Sequence, residues 1–248
     1  IGPEIKPILR CPSSSRCREL KDQDRGDGKG LRRREDTVAR QLRDNGRLGM
    51  DQLEAYGKYL FGAVEHLEAE GIWHRDLKPD NIAIRIRPNS TRQLVLIDFS
   101  LAGYPAKEID AGTEGYLDPF LGIITRGSYD GHAERYALAA TLHEMASNEL
   151  PRWGDGAVTA RQTDPTEWPY PQLAADAFEP AVRDGLVAFF RKALAREVKD
   201  RFSDLKPMER AWQALFLDAQ RTTAPSSGHG TAESVGTTQE AGPQEYVG

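Results

Sequence analysis

His74-Arg75-Asp76-Leu77-Lys78-Pro79-Asp80-Asn81 is the stretch that decides how this chain is read. Asp76 and Lys78, two residues apart, put a carboxylate and an ammonium on the same side of an extended loop. The carboxylate can accept a hydroxyl proton while the ammonium meets a phosphate oxygen. Asn81 adds a neutral oxygen that suits Mg²⁺. Further on, a β-rich run ends in Leu96-Ile97-Asp98-Phe99-Ser100, where an aspartate leaving a strand is placed to hold a hard, oxygen-loving cation. Phosphoryl transfer asks for this set: an in-line acceptor and cations to absorb charge on the transferred group.

Around this loop the periodicity is mostly helical. Asp36–Asn45 reads as a short polar helix stopped by Gly46. From Asp51 to Glu70 the apolar residues Leu53, Tyr56, Leu60, Ala63, Val64 and Leu67 recur at helical spacing, with Asp51 as N-cap and Gly71 as stop. Ile82–Ile86 and Leu94–Phe99 flank the turn residues Arg87-Pro88-Asn89-Ser90 and predict a hairpin. Further helices are expected near 132–147, 180–196 and 204–219. The expected fold is mainly α with a small β-hairpin. Residues 1–30, broken by Pro3, Pro7 and Pro12, are expected to be irregular or non-native, residues 31–220 folded, and residues 221–248 a disordered tail.

Composition excludes several functions. The formal net charge is −5 and the only basic run, Arg32-Arg33-Arg34, is followed by Glu35 and Asp36, which predicts no nucleic-acid footprint. Cys11 and Cys17 are too few for a tetrahedral zinc site and predict no disulfide framework, which points to a reducing compartment. With no apolar run near the roughly 20 residues of a bilayer span, the chain is expected to be cytoplasmic and without a membrane partner. His66, His132, His143 and His229 show no ligand spacing, and Tyr136, Trp153, Trp168 and Trp212 read as core or surface aromatics.

The octapeptide followed by a hairpin and an Asp-Phe pair resembles the catalytic loop and metal-binding motif of eukaryotic-like serine/threonine protein kinases. Gly112-Thr113-Glu114-Gly115-Tyr116-Leu117-Asp118-Pro119 resembles the peptide-positioning end of that family's activation segment. Glu134–Leu142 resembles the central helix of its large lobe, and Lys199-Asp200-Arg201-Phe202 its arginine-bearing turn. The resemblance spans about residues 36–218. Within the family the Leu-Asp-Pro-Phe segment and short loops look like bacterial phage-defence kinases.

The resemblance implies a kinase large C-terminal lobe, with ATP and Mg²⁺ as cofactors and a protein Ser or Thr hydroxyl as substrate. It implies Asp76 as catalytic base, with Lys78 and Thr113 beside it; Lys78, Asn81 and Asp98 on the nucleotide; and Asn81 and Asp98 on the metal. His74, Arg75, Glu134 and Arg201 are carried over as structural or regulatory, His74 as a core histidine. Four departures stand out. Ser100 replaces the glycine after Asp-Phe. Phe120 replaces a glutamate that normally pairs with the arginine matched by Arg201, so Arg201 is expected to find Asp118 or Glu114. Glu134 replaces an aspartate. No match to the small N-terminal lobe is found: Gly26, Gly28 and Gly30 lack the flanking strands of a phosphate loop. Two competing readings are a non-catalytic kinase-like binding module and a small-molecule phosphotransferase; Lys78 and the peptide-positioning segment argue against the latter. An apolar surface is expected around the loop and hairpin. Leu101–Gly112 contains no Ser or Thr and only the Tyr104 hydroxyl, so Glu108 and Asp110 are expected to meet Arg75 in place of a phosphate.

Overall fold

The computed structural model describes residues 36–223, apart from Asn89, Ile124, Thr125, Gly156 and Ala157. The expectations for residues 1–30, and for all but 221–223 of the tail, fall outside the described residues.

A twenty-residue helix gives the platform its axis. After a two-residue strand β1 (Asp36–Thr37) and a short helix α1 (Val38–Asn45), helix α2 runs from Met50 to Ala69. Its buried residues, among them Leu53, Tyr56, Leu60, Phe61, Val64 and Leu67, return every three or four positions and form one stripe. Gly49 rather than Asp51 is the N-cap; Asp51 lies in the first turn, where its charge favours the helix dipole. The octapeptide His74–Asn81 follows and leads through a 3₁₀ turn at Pro79–Asn81 into β2 (Ile82–Ile86) and β3 (Arg92–Leu96). These strands pair antiparallel from Ile82↔Leu96 to Ile86↔Arg92. β1 adds a third strand through Asp36↔Ile84 and Thr37↔Ala83, where the sequence suggested a helix start. Thr37 is instead the N-cap of α1, its Oγ1 accepting from the Arg40 N–H.

Helix α3 (Gly131–Ser147) is buried on nearly all sides, as expected of a helix with almost no amphipathic contrast. Asp130 caps it by accepting from Ala133 N–H, and Asn148 ends it in a left-handed conformation. Helices α4 (Arg183–Ala193) and α5 (Leu205–Thr223) close the core. Leu205, Met208, Trp212, Phe216 and Ala219 line the inner face of α5. Trp212 stands at the centre, with its ring centroid 5.2 Å from Phe189 and 5.3 Å from Phe216. A Cβ at Gly57 would lie 2.2 Å from Trp212 Nε1, so only glycine lets α2 and α5 approach this closely. On the hairpin, Ile86 is 72% exposed, the part of the expected apolar surface that the described residues display.

Candidate active site

The loop between α2 and β2 is held from below by α3. Glu134, in the first turn of α3 and fully buried, accepts from the backbone N–H of His74 (2.8 Å) and of Arg75 (3.1 Å). The Tyr129 hydroxyl donates a third bond to it at 2.7 Å. Both carboxylate oxygens are used, so the longer acid in place of the family's aspartate fits. Burial pushes the Glu134 carboxyl up, against the pull of its three donors. Two turns on, Thr141 Oγ1 donates to the Leu77 carbonyl at 3.0 Å. The loop backbone is thereby fixed before any functional side chain is placed.

Those side chains converge. Asp76 Oδ1 accepts from the Thr113 hydroxyl at 2.6 Å, and Oδ2 from Asn81 Nδ2 at 2.8 Å. Lys78 Nζ lies 2.8 Å from Asp76 Oδ2 and 2.6 Å from Thr113 Oγ1. Burial alone would raise the Asp76 carboxyl; the donors Lys78, Thr113 and Asn81 outweigh it and hold the group below the ordinary aspartate value. Asp76 is therefore ionised near neutrality and acts as an acceptor.

The orientation of Asn81 follows from the same contacts. Its Nδ2 donates to both the Asp76 carboxylate and the Asp76 carbonyl (2.9 Å), neither of which can donate in return. Oδ1 is left as the free end. The end of β3 lies against this residue through Ile97 N–H to the Asn81 carbonyl (3.0 Å), one residue before exposed Asp98. Among the described residues no group of three or more His, Cys, Asp or Glu gathers as a metal site. Two oxygen donors nevertheless suit Mg²⁺, which binds through one or two protein ligands and completes its shell with water and substrate phosphates.

His74 is a core residue. Its Nε2–H donates to the Ile97 carbonyl (3.0 Å), its ring packs 4.6 Å from that of Phe99, and burial lowers its pKa so that it stays neutral. Arg75 and Asp98 have left-handed backbones, with φ of 69° and 59°. Such conformations persist in non-glycine residues only where surroundings enforce them, and they cluster at functional sites. Ser100 keeps the turn after Asp98, its N–H donating to Asp98 Oδ1 at 3.2 Å.

Arg75 differs from expectation. Its guanidinium reaches the backbone carbonyls of Tyr104 (2.9 Å), Pro105 (3.1 Å) and Glu108, not the Glu108 or Asp110 carboxylates. The loop's path turns carbonyls inward, and no sequence pattern encodes that. Arg201 does meet an acid, and of the two expected it is Asp118. Arg201 Nη1 and Nη2 bind the two Asp118 oxygens at 2.6 and 3.2 Å. Arg126 joins at 2.5 Å, a contact the sequence offered no sign of. Phe120, in the glutamate's usual place, lies under a different cation, Arg196, 4.7 Å from its ring. Tyr129 against Arg75 and the Tyr116–Glu144 hydroxyl–carboxylate bond were equally silent in the sequence, because the partners are distant in it. A cleft of about 370 Å³ lies between α1, β1 and the far end of the hairpin and includes Gln41, Gln52 and Ile84 but no residue of the His74–Asn81 loop.

A catalytic loop seated on a buried central helix, a metal-type aspartate after a hairpin, and a threonine delivered from a downstream segment together define a protein kinase large lobe. The chain belongs to that family: the family model for the protein kinase domain matches residues 32–216. It is 74% identical over 196 residues to the probable kinase PglW of Streptomyces coelicolor, an alignment covering 79% of this chain and 12% of that protein. It is 29% identical over 172 residues to the serine/threonine-protein kinase Pkn1 of Myxococcus xanthus, covering 65% of this chain and 24% of that protein. With the serine/threonine-protein kinase PknI of Mycobacterium bovis the identity is 29% over 195 residues, covering 75% and 27%. The chain thus spans about an eighth to a quarter of the length of these relatives. Among solved structures, the PknI kinase domain of Mycobacterium tuberculosis superimposes with a TM-score of 0.52 at 22% identity, covering 73% of this chain and 62% of that one, a likeness of fold. No described helix is long and apolar enough to cross a membrane.

Proposed function

We propose that this chain carries the catalytic loop of an ATP-dependent serine/threonine protein kinase. The observation that carries the reading is the convergence of Lys78, Asn81 and Thr113 on the Asp76 carboxylate. In this reading the substrate hydroxyl oxygen bonds to the γ-phosphorus as the bridging bond to ADP breaks, and its proton passes to Asp76. A carboxylate held below its ordinary pKa is a weak base, so Asp76 orients the hydroxyl first and takes the proton late. That suits a transition state in which positioning and charge neutralisation supply most of the rate. Lys78 offers its ammonium to the transferred phosphoryl oxygens, and Thr113 keeps Lys78 and Asp76 in register. Asn81 Oδ1 and Asp98 would hold Mg²⁺, which when bound neutralises charge on the phosphate oxygens. Serine or threonine as acceptor is supported by Lys78 at its place in the loop and by the likeness to the serine/threonine-protein kinases Pkn1 and PknI.

The test measures ATP·Mg²⁺ binding and phosphate transfer to Ser, Thr and Tyr peptides. It uses residues 1–248 and a longer chain continued upstream, each with and without Asp76→Asn. The reading expects transfer to Ser or Thr that disappears with Asp76→Asn while nucleotide binding remains. Silence of both chain lengths would favour a kinase-like binding module.

A further inference from the structure

Tyr129 touches both halves of the support under the catalytic loop, and the proposed chemistry does not use it. Its ring lies beneath the Arg75 guanidinium, 4.6 Å from the cation to the ring centroid. Its hydroxyl donates to Glu134 Oε2, the same oxygen that accepts the Arg75 N–H. Its own N–H donates to the Ala106 carbonyl at 2.7 Å, inside the loop that Arg75 grips. Arg75 is 3% exposed. A buried guanidinium needs its donors satisfied and its charge met. Here Nη1 and Nη2 donate to the carbonyls of Tyr104, Pro105 and Glu108, Nε is buried without a partner, and the charge is met by the face of Tyr129. The segment 101–112 presents one side-chain hydroxyl, that of Tyr104, and Tyr104 reaches Arg75 through its carbonyl. The two terminal nitrogens, the fork that would grip a phosphate, are thus already taken by loop carbonyls.

We propose that Tyr129 is a positioning residue that takes the place of a loop phosphate. It holds Arg75, the segment 101–112 and, through Glu134, the catalytic loop in the working arrangement without covalent modification. The inference rests on the kinase reading for its meaning, though not for its measurement. The lock works by contact on both sides of one side chain: the ring face against Arg75, the hydroxyl against Glu134. Phenylalanine would keep the first and lose the second; leucine would lose both.

Amide hydrogen exchange reads this directly at Tyr104 and Glu108, whose N–H groups bond within the loop to the Leu101 and Pro105 carbonyls. The measurement uses wild type before and after phosphatase treatment, then Tyr129→Phe and Tyr129→Leu, with core amides of α5 as the internal reference. The expected result is a wild-type loop unchanged by phosphatase. Exchange at the two amides should be faster by roughly 10-fold to 100-fold in Tyr129→Phe, the scale of one hydrogen bond to a charged group. It should be faster again in Tyr129→Leu, with α5 unmoved. A phosphate between Leu101 and Gly112 whose removal releases the loop overturns the proposal. So does a Tyr129→Leu loop as protected as wild type, or a uniform rise in exchange that includes α5. Exchange needs no turnover. A protected loop in a chain that transfers no phosphate sinks the kinase reading and supports the lock; a freely exchanging loop in a chain that does transfer phosphate sinks the lock alone.

Discussion

Arg201 and Asp118 meet through two N–H···O bonds, 2.6 and 3.2 Å, in a place where the Asp118 side chain has no exposure at all. This pair ties the turn before α5 to the end of the segment from Gly112 to Pro119. Arg126 and the Phe120 N–H complete the carboxylate's shell. Burial opposes ionisation of Asp118, and the two guanidiniums overcome it, so its pKa lies below the ordinary value.

Asp118→Asn should therefore be severe. It leaves buried Arg201 without a counter-charge, while Arg126 keeps Asp130, a loss of about 3–5 kcal/mol on precedent for broken buried pairs. The sign of the pH effect follows from the depressed pKa. The stabilisation is complete above the unfolded-state value of about 3.9 and fades as pH falls through the lower folded value. Denaturant unfolding from pH 5 downward should show this acid limb in wild type and a flatter curve in Asp118→Asn; parallel curves would count against the pair.

A second limb, at higher pH, belongs to His143. Its Nδ1–H donates to the Glu149 carbonyl (2.8 Å) and its Nε2 accepts from the Ala174 N–H (3.2 Å), so the neutral ring is satisfied on both sides. Protonation would set a second N–H against that of Ala174. Burial accordingly lowers the pKa from 6.5 to about 4. The unfolded state binds the proton first, so stability falls as pH drops from about 6.5 towards 4, by roughly 3 kcal/mol at most. In His143→Leu, unfolding free energy between pH 7 and 4.5 should lose about one proton's worth of slope relative to wild type.

The fold was legible where local chemistry agreed with tertiary demand, as in α2, the β2–β3 hairpin and the buried α3. It was not legible where a distant partner decided. Asp36–Thr37 form a strand because Ala83 and Ile84 offer an edge, which no local pattern announces. Asp76, Lys78, Asn81 and Thr113 were named from sequence and lie together in space. The Arg75 contacts were not foreseen, because backbone carbonyls carry no residue identity. Arg201's acid was narrowed to two candidates; geometry selected Asp118, since a bidentate grip depends on where the segment turns rather than on which residues it contains.

Two glycines of α2 separate packing from propensity. Gly57→Ala places a methyl 2.2 Å from Trp212 Nε1 and must push α5 away, an overpacking cost of about 1–3 kcal/mol. Gly62 is exposed and a Cβ there meets nothing within 4 Å, so Gly62→Ala should stabilise by about 0.5–1 kcal/mol through helix propensity. Thermal melts of the two variants should move in opposite directions. Equal shifts of one sign would mean that the α2–α5 contact is looser than described.

Thr113→Val tests the centre of the site with the least change of shape. The hydroxyl donates to Asp76 Oδ1 and accepts from Lys78, both at 2.6 Å, and valine can do neither. Two consequences should separate. Losing a donor raises the Asp76 pKa, because one of the interactions opposing its burial has gone. The acid limb of phosphotransfer should therefore move to higher pH in Thr113→Val. Losing the register between Lys78 and Asp76 should lower the rate by less than removal of Asp76, the proposed base, a group whose loss typically costs about 10²–10⁴-fold. The ordering expected in a longer chain that carries out transfer is wild type, then Thr113→Val, then Asp76→Asn, with nucleotide affinity little changed across the three. A Thr113→Val variant with wild-type rate and an unmoved acid limb would reduce the threonine to a packing residue and leave Asp76 and Lys78 to hold their own geometry.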